Sequence, residues 1–132
     1  MILVDTNVIS ESARGSPAPS VLTFLMQHPV VALSAVSVLE LEAGVRAAPA
    51  AKRVKLGVWL DALLESGAVE VIPIDAAVAR MAGKMRAETR TRPVALEDIL
   101  VGATALSRGM TLATRNTSHF ERLGVALVDP FV

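Results

Sequence analysis

The segment Met1-Ile2-Leu3-Val4-Asp5-Thr6-Asn7-Val8 decides the fold class. Ile2–Val4 is continuously apolar rather than alternating, the pattern of a short strand covered on both faces. A carboxylate, Asp5, follows it at once. Outward from there, Val30–Leu33, Val69–Ile72, Thr111–Ala113 and Val125–Val128 read as further short buried strands. Helical patterns fill the gaps. Ser16-Pro17 reads as the N-cap and first position of a helix over Ala18–Gln27. Val36–Ala47 and Ala51–Glu65 are helical, the latter closed by Gly67. Asp75 caps a helix over Ala76–Glu88, with Val78, Met81, Ala82 and Met85 along one face. Leu96–Ser107 is a helix ended by Gly109. Strands separated by helices require right-handed crossovers. The expected fold is therefore a three-layer α/β/α domain around a mainly parallel sheet of about four to five short strands. The length of 132 residues suits one domain over 1–132.

Composition removes several function classes. There is no cysteine, which excludes disulfides, iron–sulfur clusters and thiol catalysis and fits a reducing, cytoplasmic setting. The two histidines, His28 and His119, have no ligand spacing for zinc. Four aromatic residues (Phe24, Trp59, Phe120 and Phe131) are too few and scattered for a multi-base stacking platform. The chain is 52% hydrophobic with mean hydropathy +0.51, yet no membrane association is expected. The uncharged run Gly15–Leu39 is broken by Pro17, Pro19, Gln27, His28 and Pro29. The start lacks a basic region and meets Asp5 immediately, unlike a signal peptide.

In parallel sheets, ligands sit beyond the carboxyl ends of strands, where strand order reverses. Asp5 lies at such an end, although Asp-Thr-Asn is also turn chemistry. In the helix Val36–Ala47, Glu40 and Glu42 are about 200° apart. Glu42 has Arg46 at i+4, the favoured order for a surface ion pair. Glu40 instead stands among Ser37, Ala43 and Gly44, with no cation in helical reach. In Leu96–Ser107, Glu97 and Asp98 occupy the first turn, where negative charge suits the helix dipole. Asp98 has Gly102 at i+4, and an interior helix glycine costs about 1 kcal/mol against alanine, so close packing or a ligand is expected there. Thr114-Arg115-Asn116 follows the strand Thr111–Ala113 as Asp5 follows the first. If Asp5, Glu40 and Asp98 converge without cations, they repel one another unless a hard divalent ion such as Mg²⁺ or Mn²⁺ neutralises them. That combination points to metal-dependent phosphoryl chemistry.

These residues resemble a known family. Ile-Leu-Val-Asp-Thr-Asn-Val at 2–8 is similar to the opening motif of PIN-domain nucleases. Ser37-Val38-Leu39-Glu40-Leu41-Glu42-Ala43-Gly44-Val45 resembles their second motif, Leu96-Glu97-Asp98-Ile99-Leu100-Val101-Gly102-Ala103-Thr104-Ala105 the third, and Leu112-Ala113-Thr114-Arg115-Asn116-Thr117-Ser118-His119-Phe120 the fourth. Order and spacing match over essentially the whole chain. The opening, extended as Asp-Thr-Asn-Val-Ile-Ser-Glu, resembles most the toxins of VapBC-type toxin–antitoxin pairs. The resemblance implies a doubly wound sheet, Asp5, Glu40 and Asp98 as metal-binding carboxylates, and Mg²⁺- or Mn²⁺-dependent cleavage of RNA. It also implies a homodimer and an antitoxin that occupies the site. The family's fourth acidic position falls on Asn116, whose amide supplies no charge, so the resemblance implies one metal more securely than two. Thr114 matches a recurrent hydroxyl position that bonds a metal-bound water, and Asn7 matches a position that orients Asp5.

The 13 basic and 13 acidic residues cancel, but they are segregated. Arg46, Lys52, Arg53 and Lys55 have no acid among them, and Arg80, Lys84, Arg86, Arg90 and Arg92 face only Glu88. These stretches suit either an RNA backbone or plain solvation. The apolar helix Leu96–Ser107 and the Val36–Ala50 region exceed what one sheet face needs, which predicts a dimer or antitoxin contact. Asn116 keeps a non-catalytic RNA- or protein-binding module open as the alternative. A haloacid-dehalogenase-type phosphatase fits poorly, because Asn7 replaces the general acid. A receiver domain lacks a suitable phosphoacceptor, and no Gly-x-Gly-x-x-Gly supports a dinucleotide fold.

Overall fold

The computed structural model describes all residues from Met1 to Val132. Five strands, β1 (Ile2–Val4), β2 (Val31–Ser34), β3 (Val69–Ile72), β4 (Thr111–Ala113) and β5 (Leu127–Val128), form one sheet in the order β3-β2-β1-β4-β5. Every pairing is parallel. The helices are α1 (Thr6–Ile9), α2 (Pro19–Gln27), α3 (Ala35–Ala47), α4 (Ala50–Glu65), α5 (Ala76–Glu88), α6 (Leu96–Arg108) and α7 (Thr117–Phe120). Short 3₁₀ turns at Ser10–Ala13 and Glu121–Leu123 extend α1 and α7.

The sheet is buried on both faces, as the continuous apolar runs require. Leu3, Ala32 and Leu112 enter one core with Val78, Met85, Ile99 and Phe120. Their neighbours Val4, Leu33 and Ala113 enter the other with Val8, Val21, Leu41 and Leu60. This period of two places α5 and α6 on one face and α2 and α4 on the other. The sheet winds from β1 through β2 to β3 on one side, then crosses to β4 and β5 on the other. Strand order thus reverses between β1 and β4, and the carboxyl ends of these two strands carry Asp5 and Thr114.

Helices α3, α4 and α6 differ from expectation by one residue at one end, and three other elements differ for a definite local reason. Helix α2 starts at Pro19, not after a Ser16-Pro17 cap. The residue before a proline is driven into extended backbone, and Ala18 (φ −61°, ψ 123°) cannot join the helix. Strand β2 is shifted by one residue, because Val30 is exposed while Ser34 is buried and N-caps α3. Strand β5 begins only at Leu127, because Gly124 takes a left-handed turn (φ 72°) that sends Val125 into the core. Helix α6, expected to supply an interface, buries Ile99, Val101, Ala103 and Ala105 within the chain. Its apolar content serves the core. Gly102 explains itself by close approach: a Cβ there would lie 2.9 Å from Leu123 Cδ1 and 3.6 Å from Phe120 Cδ1. Gly44 has no such neighbour.

Candidate active site

Asp5 leaves β1 and N-caps α1, and the cap bond from Thr6 N to Oδ1 is 2.8 Å. The turn chemistry of Asp-Thr-Asn is therefore real, but it uses only one oxygen. The Thr114 hydroxyl donates to Oδ2 at 2.8 Å, and Asn7 Nδ2 donates to the same oxygen at 3.3 Å. Three donors on a carboxylate with about four lone-pair sites leave one open, on Oδ1. Asp5 is buried, as is Thr114 at the end of β4. The two chain ends are also tied through the backbone, Asp5 N donating to Ala113 O at 2.9 Å.

Thr114 has a different role from the one the resemblance implied. Its hydroxyl donates to Asp5 and accepts from Asn116 N at 3.0 Å and from Asn7 Nδ2 at 3.4 Å. That bonding leaves no capacity for a water, so Thr114 holds Asp5 in place. Asn7 braces the same corner, accepting from Arg115 N through Oδ1 at 3.1 Å. Asn116 is exposed at the N-cap of α7 and makes no side-chain cap bond, so its amide faces solvent at the rim.

Helix α3 brings Glu40 to this rim, where the Thr6 hydroxyl donates to Oε1 at 2.9 Å. Helix α6 brings Asp98, whose Oδ2 lies 3.2 Å from His119 Nδ1. Both carboxyls are held above their ordinary range. For Glu40 burial is the main cause, opposed by the Thr6 bond and reinforced by the negative charges of Asp5, Glu97 and Asp98. For Asp98 burial again leads, opposed by His119 and reinforced by Asp5 and Glu97. The four acids therefore share one electrostatic field, with Glu97, read as helix-dipole decoration, adding to it. Glu42 lies apart, exposed and paired with Arg46 at 3.6 Å.

The donor set is oxygen-rich and carries uncompensated negative charge, which fits a hard divalent cation. No three His, Asp or Glu side chains stand at metal-ligand spacing in this arrangement. Glu40 is turned to Thr6 by a hydrogen bond through Oε1 and Asp98 to His119 by a contact through Oδ2, each using one oxygen of its carboxylate. His119 had no signal in sequence, since it meets Asp98 only through the packing of α7 on α6. Glu11 was also missed. It is buried, accepts from Ala18 N at 2.8 Å and lies 3.7 Å from Arg14, so it shapes the loop beside α1.

A parallel sheet with an acidic cluster at its switch point suits chemistry on phosphate esters. A PIN domain family model matches residues 2–126. The chain is 35% identical over 141 residues to the VapC ribonuclease Y4jK of Sinorhizobium fredii, spanning 99% of this chain and 98% of that protein. It is 35% identical over 140 residues to Toxin FitB of Neisseria gonorrhoeae, spanning 99% of each. The crystal structure of FitAcB from Neisseria gonorrhoeae superposes with a TM-score of 0.84 at 34% identity, covering 99% of both chains. The chain belongs to the PIN-domain family, and within it to the VapC-like nuclease toxins of toxin–antitoxin pairs.

Proposed function

We propose that this chain is an endoribonuclease dependent on Mg²⁺ or Mn²⁺ that hydrolyses phosphodiester bonds in RNA and is held in check by a cognate antitoxin. The observation that carries this reading is the placing of Asp5, Glu40 and Asp98 around one rim, Glu40 through Thr6 beside Asp5 and Asp98 from the start of α6, with burial as the main cause and neighbouring negative charge as a further one raising the last two from their ordinary values. Asp5, Glu40 and Asp98 would hold the ion, which when bound neutralises their charge and activates water toward phosphorus. The remaining chemistry is positioning. Thr114, Asn7 and Thr6 N fix the Asp5 carboxylate in one orientation, Thr6 Oγ1 steers Glu40, and His119 restrains Asp98. Asn116 completes the rim with an amide in place of a fourth charge, which favours one ion over two.

No helix is long and apolar enough to cross a membrane. A toxin that cleaves RNA inside its own cell would act in the cytoplasm. A homodimer fits the exposed apolar side chains of Val54 and Val58, one turn apart on α4, and of Leu39 on α3. The exposed amide of Asn116 favours one second reading, a non-catalytic module that binds RNA or protein. One experiment separates them. The chain is co-expressed with its neighbouring reading frame and isolated free of partner, and cleavage ends on total RNA are mapped with Mg²⁺, Mn²⁺ or EDTA. Cleavage that needs metal and disappears in Glu40→Gln and Asp98→Asn is expected. Cleavage persisting in EDTA overturns the metal role, and RNA binding without cleavage establishes the second reading.

A further inference from the structure

The basic stretch Arg46–Lys55 does not act as one surface, because the fold splits it. Arg46 is paired with Glu42, and Arg53 donates to Ala48 O at 3.0 Å. Both arginines line a cleft that also contains Glu42 and Asp61, so their charge is locally cancelled. Lys52 and Lys55 point elsewhere. One turn apart on α4, they line a groove of about 590 Å³ with Arg14, Ser12 and Trp59, and no acid shares that wall. Neither lysine forms an ion pair, whereas Arg14 leans on Glu11.

This groove leads to the acidic rim. A second hollow of about 320 Å³ shares its Ala13, Arg14, Leu56 and Trp59 walls and continues to Thr6 and Glu40. Trp59 stands at the junction of the two. Its indole is half-buried and its Nε1 donates to Ser12 Oγ at 3.2 Å, which pins the ring as a fixed platform. A flat ring followed by two unpaired ammonium groups is the chemistry of a nucleotide subsite. The base stacks on the aromatic face, and the phosphates are met by point charges. A lone tryptophan cannot make the multi-base platform excluded by composition, but it can seat one base.

We infer that Trp59, Lys52 and Lys55 form a subsite for one unpaired nucleotide of the RNA strand, placed on the Glu40 side of the reacting phosphate. This rests on the nuclease reading of the rim and adds to it a determinant of where a strand sits before it is cut. Much of the outer groove's surface is apolar, but its charged walls, Arg14, Lys52 and Lys55, are all cationic, and that one-signed charge favours a polyanion as its occupant.

Trp59 is the only tryptophan in the chain, so its fluorescence reports on this place alone. The full chain is titrated, in EDTA to prevent turnover, with an eight-nucleotide 2′-O-methyl oligoadenylate and with an abasic strand of the same length. Saturable quenching by the oligoadenylate and none by the abasic strand is expected. Lys52→Glu with Lys55→Glu, both exposed, should weaken binding and lower the slope of log affinity against log salt by about 1.4, roughly 0.7 for each phosphate no longer neutralised. Arg46→Glu with Arg53→Glu should leave both unchanged. For the variants that lack the reporter, binding is followed by the fluorescence anisotropy of a fluorescein-labelled strand: Trp59→Leu should lose about tenfold in affinity, with Trp59→Phe retaining most of it, and circular dichroism monitors the fold of each. Unchanged fluorescence with the oligoadenylate, or undiminished affinity in the double-lysine variant, overturns the subsite even if the chain cleaves RNA. A fluorescence change with the co-expressed partner protein and none with RNA also overturns it and assigns the groove to that protein. Because binding is read without metal or cleavage, a failed nuclease assay and a failed subsite give different results.

Discussion

The Thr114 hydroxyl donates a 2.8 Å hydrogen bond to Asp5 Oδ2 within a buried corner, joining residues 109 positions apart. It accepts two further bonds there, from Asn116 N and Asn7 Nδ2. Thr114→Val keeps the shape and removes the hydroxyl, leaving Asn116 N and one Asp5 oxygen short of a partner. The expected loss is about 1–3 kcal/mol of stability in urea unfolding, together with most of the nuclease activity. Thr114→Ser should keep both. A valine variant as stable and active as the parent would show that the corner has no part in orienting Asp5.

Glu40 and Asp98 make the site pH-sensitive in a definite direction. Both hold their protons more tightly in the folded chain than in the unfolded one. Their contribution to stability is therefore fully present below the ordinary carboxylate range and is lost as pH rises through their raised values. At neutral pH and without metal, Glu40→Gln should raise the melting temperature by roughly 2 °C, a small figure because the side chain is part-exposed and screened. The same variant should flatten stability between mildly acidic and neutral pH. A melting temperature that falls, with the pH profile unaltered, contradicts this repulsion among the acids.

Metal should reverse that sign. In the parent chain, Mn²⁺ is expected to raise the melting temperature as the concentration exceeds the dissociation constant, with less effect as pH falls and the carboxyls protonate. Asp98→Asn should lose most of the Mn²⁺-induced shift in the same thermal scan. An equal shift in parent and variant would place the ion elsewhere.

Ser37, completely buried in α3, carries the one buried side-chain oxygen in the chain without a hydrogen-bond partner. Ser37→Ala removes an unsatisfied polar atom and improves helix propensity. A gain of about 1 kcal/mol is expected by denaturant titration, with activity unchanged. A loss of similar size would reveal a partner for Oγ that this arrangement does not contain.

Much of the architecture was legible because apolar runs and helical periods report burial directly. β1, β3, β4 and the Asp75-capped helix α5 fall where the pattern puts them. The single-turn helices α1 and α7 were not legible, since one turn has no period to read. The start of α2 was misplaced because two prolines offered two helix starts, and only the backbone restriction at Ala18 chose between them.

Residue types and spacing alone determined a parallel α/β sheet, acids at Asp5, Glu40 and Asp98, and an oxygen-rich chemistry with no sulfur to compete. These are local properties, set by which side chain follows which strand or lies on which helix face. Only the tertiary structure decided the rest. It set Thr114 to hold Asp5 and placed His119 against Asp98. It also separated Lys52 and Lys55 from Arg46 and Arg53, which share their stretch of sequence. Such pairings join residues on different elements, and their distances depend on how the helices pack on the sheet rather than on any spacing along the chain.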